Sequence, residues 1–364
     1  MAKKRNGEID CLRFLFAVII LIHHFDEVFP VGLFGNGYIG VEFFFLVAGF
    51  LMAQKVKRMQ NRPETSAEMA DATWQFIMRK VASFYPYYFC ALMIRLVLFG
   101  VILDYKGIRE IISILCQSIP SLTLTVFALN FSCPFLYDST FWFLSAMLIA
   151  MFFLYPILLK DWDRACKLVF PAMSLLLLGY LNEVYGHVST FSKWTGICYT
   201  GVLRAGAQLA LGASLYALSE WMCIHYRHLL RGENRWMKAF FTVVKAGCYG
   251  MVLLFILGCP MENLHAFLFL IIGVLLSFSE AGYTVPGGKL TQYLGKISLP
   301  IYIFHGLMRE AAGDLLAGWV PTAGMVLVMS GCSLLLCVLL MYATDLMKKW
   351  LFRMMHCNGF KFKG

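Results

Sequence analysis

The chain has 364 residues, of which 60% are hydrophobic and only 14% are charged. An ordinary soluble domain is about 25% charged, so this composition excludes a soluble globular protein and predicts a polytopic membrane protein. The net charge of +10 does not indicate a nucleic-acid partner, because lysine and arginine accumulate in the cytoplasmic loops of membrane proteins.

Ten apolar runs are each long enough to cross a bilayer, which takes about 20 helical residues. They lie at 12–29, 37–53, 81–103, 139–159, 168–182, 197–219, 239–258, 263–281, 297–316 and 322–346. A further stretch, 111–131, contains Pro120 and several Ser and Thr residues. It is either an eleventh span or an interfacial or re-entrant segment.

The positions of the basic residues decide between these alternatives. With ten spans, most Lys and Arg outside the spans fall on one side, and the other side carries only Lys106, Arg109 and Lys193. An eleventh span at 111–131 would reverse everything after it and remove this bias. Since cytoplasmic loops carry the basic excess, we predict an all-α helix bundle of ten spans, with both termini cytoplasmic. It forms one transmembrane domain over 1–347, followed by a short basic tail over 348–364.

The first run, CLRFLFAVIILIHHFDEVF, places Arg13, His23 and His24 in an otherwise apolar helix. Arg13 and His24 are about three turns apart and share one face, whereas His23 points about 100° away from His24. The two histidines therefore lack the i, i+3 or i, i+4 spacing with which one helix binds a metal, and no metal is predicted. Ionisable groups at this depth indicate a functional site by default. The alternative is a neutral histidine hydrogen-bonded between helices.

The second run, GYIGVEFFFLVAGFLMA, brings Glu42 about 7 Å into the membrane, a depth comparable with that of His24. We predict that Glu42 orients His24, as the acid beside a general base does. The alternative is a plain charge pair between Glu42 and an intramembrane arginine such as Arg309 or Arg204. The small residues of this run also favour close packing of helices.

Four segments together resemble motifs of the acyltransferase 3 family. They are IDCLR with the later His24, GYIGVEFFFLVAGF around Glu42, STFWFLSAMLIAMFFLYP at 139–156, and YLGKISLPIYIFH at 293–305. Any one of them is weak, but four in this order over ten spans are specific. Members of this family are integral-membrane enzymes that move acyl groups, commonly acetyl, from acyl-CoA onto cell-surface glycans.

The resemblance implies that His24 is the essential histidine of the first helix, that Arg13 belongs to the same site and that Glu42 takes the acidic position. His24 would then take the proton of the acceptor hydroxyl or relay the acyl group as a nucleophile. The chain departs from the family pattern at Ala48, where Ser is usual, and at Ser83, where a second arginine is usual. A hydroxyl at position 48 is therefore not required for chemistry here.

The donor implied by the resemblance is acetyl-CoA or another acyl-CoA, whose phosphates need a cationic route from the cytoplasmic face. Arg79 and Lys80 lie at the cytoplasmic mouth of the third run, and Arg13 lies one step inward along the first. We predict that these three residues bind the donor. For Lys80, the alternative is the ordinary cytoplasmic charge of a membrane protein.

The remaining motif residues are predicted to contact the substrates. His305 and Arg309 lie one turn apart on the ninth span and would line the acceptor side or stabilise the developing oxyanion. The alternative for them is a structural hydrogen bond between helices. Trp142 and Ser145 match the mid-chain motif and would contact acceptor sugar or donor, whereas an aromatic residue at the end of a span is often an interface anchor.

The predicted acceptor is a cell-surface glycan or a lipid-linked sugar, and the predicted location is a bacterial inner membrane or plasma membrane. Two other classes of function compete with this interpretation. A transporter of an anionic or proton-coupled substrate would also bury Arg, His and Glu in a bundle. A haem-binding redox protein would need two axial histidines at similar depth, for which His24 and His305 are the only plausible pair.

Overall fold

A computed structural model describes residues 6–98, 107–117, 141–231, 234–316 and 318–357. Most of these residues are helical, and eleven helices among them have ten or more residues. The helices are α1 (Gly7–Val28), α2 (Gly40–Lys57), α3 (Ser66–Val97), α4 (Ile108–Gln117), α5 (Trp142–Lys160), α6 (Phe170–Tyr185), α7 (Thr200–His225), α8 (Arg235–Ile256), α9 (Asn263–Phe278), α10 (Lys289–Leu315) and α11 (Ala323–Cys357). Each of the ten predicted spans overlaps one of them, and α4 overlaps the start of the stretch 111–131.

Within the described residues, five helical segments are long and apolar enough to cross a membrane. They are Gly37–Lys57, Trp142–Lys160, Trp162–Tyr185, Arg235–Ile256 and Ala323–Lys349. The prediction of an all-helical membrane bundle is thereby confirmed in its coarse form. The count of ten crossings stays a prediction, because helices such as α1 and α10 carry ionisable groups that lower their hydropathy. The orientation of the termini also stays a prediction.

The described part of the stretch 111–131 belongs to α4, which has 10 residues. At 1.5 Å per residue, α4 is about 15 Å long, roughly half of a hydrocarbon core. Ile108 and Ile112 lie one turn apart on its exposed side. Residues 118–131 lie outside the described residues, so the prediction of an interfacial or re-entrant segment is not decided there.

Two helix pairs form the centre of the bundle, α2 with α7 and α1 with α10. In the first pair, a Cβ atom added to Gly49 would collide with the carbonyl oxygen of Leu209, and one added to Gly212 would collide with that of Leu46. Each glycine therefore allows the backbone of the other helix to approach closely, as small residues do between membrane helices.

A buried polar cluster fixes the N-terminal end of α1. Asn6 caps the helix, with its side-chain oxygen accepting from the backbone nitrogen of Glu8 at 3.0 Å. The Nζ of Lys245, on α8, donates to Glu8 Oε2 at 2.9 Å, and the hydroxyl of Ser277, on α9, donates to Glu8 Oε1 at 2.7 Å. This cluster satisfies the intramembrane Lys245 and joins α1 to α8 and α9.

Candidate active site

The last two turns of α1 carry a hydrogen-bonded histidine and carboxylate. His24 Nδ1 lies 2.6 Å from Glu27 Oε2, three residues further along the same helix. Because an ionised carboxylate only accepts hydrogen bonds, the proton of the neutral ring is on Nδ1. The other ring nitrogen, Nε2, therefore keeps a lone pair and has the form that a general base needs.

Helix α10 brings two of the predicted residues to this pair. The ring centroids of His24 and His305 are 5.0 Å apart, and the planes are 22° from parallel. His305 is buried, and its Nδ1 lies 2.6 Å from the carbonyl oxygen of Tyr302. One guanidinium nitrogen of Arg309 lies 3.8 Å from Glu27 Oε2. The structure thus brings His24, His305 and Arg309 together.

A row of alternating charges continues from this site towards α3. Arg309 lies 3.9 Å from a carboxylate oxygen of Glu310, and Glu310 forms an ion pair with Arg95 of α3. The row therefore runs from Glu27 through Arg309 and Glu310 to Arg95. It joins α1, α10 and α3 around the histidines.

Glu42 lies elsewhere, in a fully buried ion pair with Arg204 of α7. The hydroxyl of Ser189 donates to Glu42 Oε1, and a guanidinium nitrogen of Arg204 donates to the carbonyl oxygen of Ser189. These contacts correspond to the alternative in which Glu42 pairs with an intramembrane arginine. The structure does not bring Glu42 to His24, whose carboxylate partner is Glu27.

The register between α1 and α2 explains this arrangement. A Cβ atom on Gly37 would touch the side chain of His23, and one on Gly40 would touch Ile20. Glu42 is five residues beyond Gly37, so it enters the bundle about 7 Å deeper than the level of His23. The sequence predicted similar depths because it did not reveal how far the loop between the helices descends.

Trp142 and Ser145, at the start of α5, are both buried. The Trp142 ring stacks on Phe191 with a centroid distance of 4.9 Å, and the guanidinium carbon of Arg204 lies 5.0 Å from the centre of the Trp142 ring. Trp142 is therefore part of the surroundings of the Glu42–Arg204 ion pair. Its burial does not fit an aromatic anchor at the membrane surface.

The predicted donor residues lie towards the other end of α1. Arg13 lines a cavity of about 280 Å³ together with Arg58 and with Phe278 at the end of α9. From His24 to Arg13 is about 16 Å along the helix.

Two lysines lie near this end, on α2 and α3. Lys55 Nζ and Lys80 Nζ lie 4.6 Å and 5.8 Å from the centroid of the Phe76 ring. Lys80 precedes the predicted span 81–103, and burial together with the nearby Arg13 and Lys55 lowers its pKa. Arg79 donates to Gln75 on its own helix at 3.2 Å. Arg13, Lys55 and Lys80 therefore form a cationic cluster contributed by three helices.

Sequence reasoning missed Glu27, although the sequence contains a signal for it. Glu27 stands four residues after His23 and three after His24, so it shares a helix face with both. The sequence favours Glu42 as the partner of His24, because Glu42 lies within the second apolar run. The sequence also gives no signal that Lys55 joins the cationic cluster, because a lysine just after the second apolar run is typical of an ordinary cytoplasmic charge.

Comparison with known proteins gives one positive result. A family model described as an acyltransferase domain, the acyltransferase 3 model, matches residues 6–342. Neither a curated protein nor a solved structure matches the chain. The matched residues include α1 and α10, which carry the histidines and Glu27.

Proposed function

The chain belongs to the acyltransferase 3 family, and on this premise we propose that it moves an acyl group, preferentially acetyl, from acyl-CoA to a hydroxyl of a cell-surface glycan or lipid-linked sugar. The observation that carries the proposal is the hydrogen bond between His24 and Glu27 beside the stacked ring of His305. It provides an oriented base inside a membrane bundle, which acyl transfer to a hydroxyl requires.

In the proposed reaction, His24 Nε2 takes the proton of the acceptor hydroxyl as its oxygen attacks the thioester carbonyl. The carbon–sulfur bond then breaks, and the imidazolium returns the proton to the leaving thiolate. The products are the acyl ester and free CoA thiol. Glu27 is a positioning residue in this scheme, because its carboxylate keeps the proton on His24 Nδ1 and stabilises the transient imidazolium.

His305 and Arg309 are proposed to act on the substrate oxygens. The contact of Arg309 with Glu27 places its guanidinium beside the base. A fixed cation near the thioester carbonyl would stabilise the negative charge that develops on its oxygen. Trp142 and Ser145 are proposed to contact a substrate from α5.

Arg13, Arg79 and Lys80 are proposed to bind the phosphates of the donor, with Lys55 as a further cation. The clustering of Arg13, Lys55 and Lys80 on three helices supports this role, because phosphate groups would offset the repulsion between these cations. Arg13 also lies 3.9 Å from Asp10 on its own helix. Charge-assisted hydrogen bonds to phosphate are among the stronger polar contacts in proteins.

The family membership and the apolar helices identify a multi-pass membrane protein. We place it in a bacterial inner membrane or plasma membrane, with both termini and the donor on the cytoplasmic side. The basic residues outside the predicted spans support this orientation. The acceptor would then meet His24 from the opposite side of the bundle.

The test uses membranes that contain the wild-type protein, His24→Ala or His265→Ala. His265 is an exposed histidine at the start of α9 and serves as the matched control. Acetyl-CoA and an extract of the host's surface glycans are added, and free CoA thiol and acetyl ester are measured together. We expect both products with wild type and His265→Ala, and a loss of at least 100-fold with His24→Ala.

Ester formation by His24→Ala at the wild-type rate would remove His24 from the mechanism. Absence of thiol release from folded wild-type protein with every donor and extract would contradict the donor and acceptor proposed here. A transporter of an anionic substrate would then be the function to test, by flux into proteoliposomes.

A further inference from the structure

The side chains of His23 and Glu27 each place one electron-pair donor atom close to the other. His23 Nδ1 lies 2.9 Å from the carbonyl oxygen of Phe34. A carbonyl oxygen only accepts, so the proton of the neutral ring is on Nδ1 and the lone pair is on Nε2. This Nε2 lies 3.6 Å from Glu27 Oε1. Two such atoms at this separation favour a cation between them.

His24 completes a set of three ligands on the same turn of α1. One ligand atom from each of His23, His24 and Glu27 lies within 4.8 Å of the others. In a tetrahedral site with bonds of 2.0–2.1 Å, ligand atoms are about 3.3 Å apart, so small side-chain rotations suffice to close this set on an ion. The two histidines alone lack the spacing with which one helix binds a metal. Glu27 supplies it, because it follows His24 by three residues and His23 by four.

The surroundings of His23 match those of a metal-ligating histidine. Such a residue usually donates its second ring N–H to a carboxylate or a backbone carbonyl, which fixes the ring and leaves the other nitrogen for the metal. The carbonyl of Phe34 provides this contact. Gly37 also packs against the Cβ of His23, and the centroids of the Tyr38 and His23 rings are 5.8 Å apart with the planes at 64°. The side chain is therefore held in place before any ion binds.

We propose that His23, His24 and Glu27 form a site for Zn²⁺, and that Zn²⁺ bound there inhibits the enzyme. Two imidazoles and one carboxylate are a ligand set that suits zinc, with a fourth position left for water. The Glu27 side chain is 49% exposed, so the ion can reach the site. Arg309, at 3.8 Å from Glu27, weakens binding by repulsion, and we expect affinity in the micromolar range.

Inhibition follows from the tautomer of His24. Ligation through His24 Nδ1 displaces the ring proton from that nitrogen, and the neutral ring then carries its proton on Nε2. The lone pair that would accept the hydroxyl proton is lost, and Glu27 becomes a ligand. This second part of the inference rests on the proposed function, whereas binding of Zn²⁺ does not.

The binding test uses the purified full-length chain in detergent after removal of metal with a chelator. Zn²⁺ is titrated by calorimetry, and the bound metal is counted by elemental analysis. We expect one Zn²⁺ per chain and at least tenfold weaker binding by His23→Gln. The matched control is His265→Gln, because His265 forms an exposed i, i+3 pair with Glu262 at 3.5 Å. This control should bind Zn²⁺ as the wild type does.

Zinc X-ray absorption separates this site from the cysteines of the chain. Nitrogen and oxygen ligands at about 2.0–2.1 Å are expected, whereas sulfur ligands would appear at about 2.3 Å. Sulfur ligation, or equal binding by wild type and His23→Gln, would overturn the site. If His23→Gln does not fold, Glu27→Gln replaces it in the binding assay, with the same expected loss.

The inhibition test measures the transfer rate of each variant relative to its own metal-free rate. Zn²⁺ should inhibit wild type and His265→Gln, EDTA should restore the rate, and His23→Gln should need at least tenfold more Zn²⁺. Binding at this site without inhibition would overturn the inhibitory role. If the protein transfers no acyl group at all, the binding data still decide the metal site, so the two proposals fail separately.

Discussion

Two acidic side chains, Glu27 on α1 and Glu42 on α2, have opposite surroundings. Glu27 is half exposed and hydrogen-bonded to His24, whereas Glu42 is fully buried and paired with Arg204. A carboxylate beside a base contributes to proton transfer, whereas a buried ion pair contributes mainly through the cost of leaving one charge alone. In the proposed mechanism, the chemistry therefore depends on Glu27, whereas the folding depends mainly on Glu42.

Exchange of each acid for its amide tests this division. Glu27→Gln should lower kcat on the order of 100-fold and leave thermal stability nearly unchanged, since general-base catalysis contributes about 10²–10⁴. Glu42→Gln leaves Arg204 buried without its counter-charge and should cost about 3–5 kcal/mol of stability. Turnover per folded molecule, together with the unfolding temperature, separates the two effects.

The double variant Glu42→Gln/Arg204→Met is the control, because it removes both charges from the ion pair. It should recover much of the lost stability, since the desolvated arginine is gone. A fall in turnover with Glu42→Gln at unchanged stability would instead support the prediction from sequence that Glu42 orients His24.

The sequence predicted the residue types of the site better than their contacts. His24, His305 and Arg309 could be found, because ionisable side chains in apolar helices are rare and the motifs mark them. The separation of Glu42 from His24 could not be found, since it depends on the relative depth of α1 and α2. The loop before α2 sets that depth through Gly37 against His23, and spacing along one helix does not reveal it.

At the scale of the helices, the contact between α2 and α7 depends on two glycines that face each other's backbone. Gly49→Ala should destabilise the protein by about 1–3 kcal/mol, because the added methyl group collides with the Leu209 carbonyl and the helices must separate. Thermal unfolding in detergent measures the change. Since α2 carries Glu42 and α7 carries Arg204, their ion pair should weaken as well.

The matched control is Gly247→Ala in the middle of α8, where an added Cβ meets no atom within 4 Å. There the substitution should be neutral or stabilise by about 0.5–1 kcal/mol, because glycine is a poor helix former. An equal effect of both substitutions would mean that the close approach of α2 and α7 does not matter for stability.

Apolar runs were sufficient to locate the helices, but not to say which of them cross the membrane. Each predicted span overlaps a helix of the described residues, because long apolar segments have to satisfy their backbone hydrogen bonds internally. The helix α1 shows why hydropathy alone does not identify every membrane span. Its ionisable residues make it the centre of the proposed site, and the same residues lower the hydropathy by which a span is recognised.

At the scale of the whole molecule, the cationic cluster and the histidine site occupy opposite ends of α1. The two are about 16 Å apart along the helix axis. An acyl-CoA molecule has the same polarity, since its phosphates lie at one end and its thioester at the other. In the proposed function, the phosphates would lie at Arg13, Lys55 and Lys80 and the thioester would lie at His24.

This arrangement predicts that loss of a cation affects only donors that carry phosphate. Lys80→Ala should raise the KM for acetyl-CoA about tenfold, which corresponds to about 1.4 kcal/mol. It should leave kcat and the KM for acetyl-pantetheine, which lacks the phosphates, unchanged. Lys160→Ala is the matched control, because Lys160 is an exposed lysine at the end of α5. The KM and kcat values are measured from initial rates with acetyl-CoA and with acetyl-pantetheine. An equal rise in KM for the two donors would show that Lys80 acts through the fold, since a phosphate contact has no effect on a donor without phosphate.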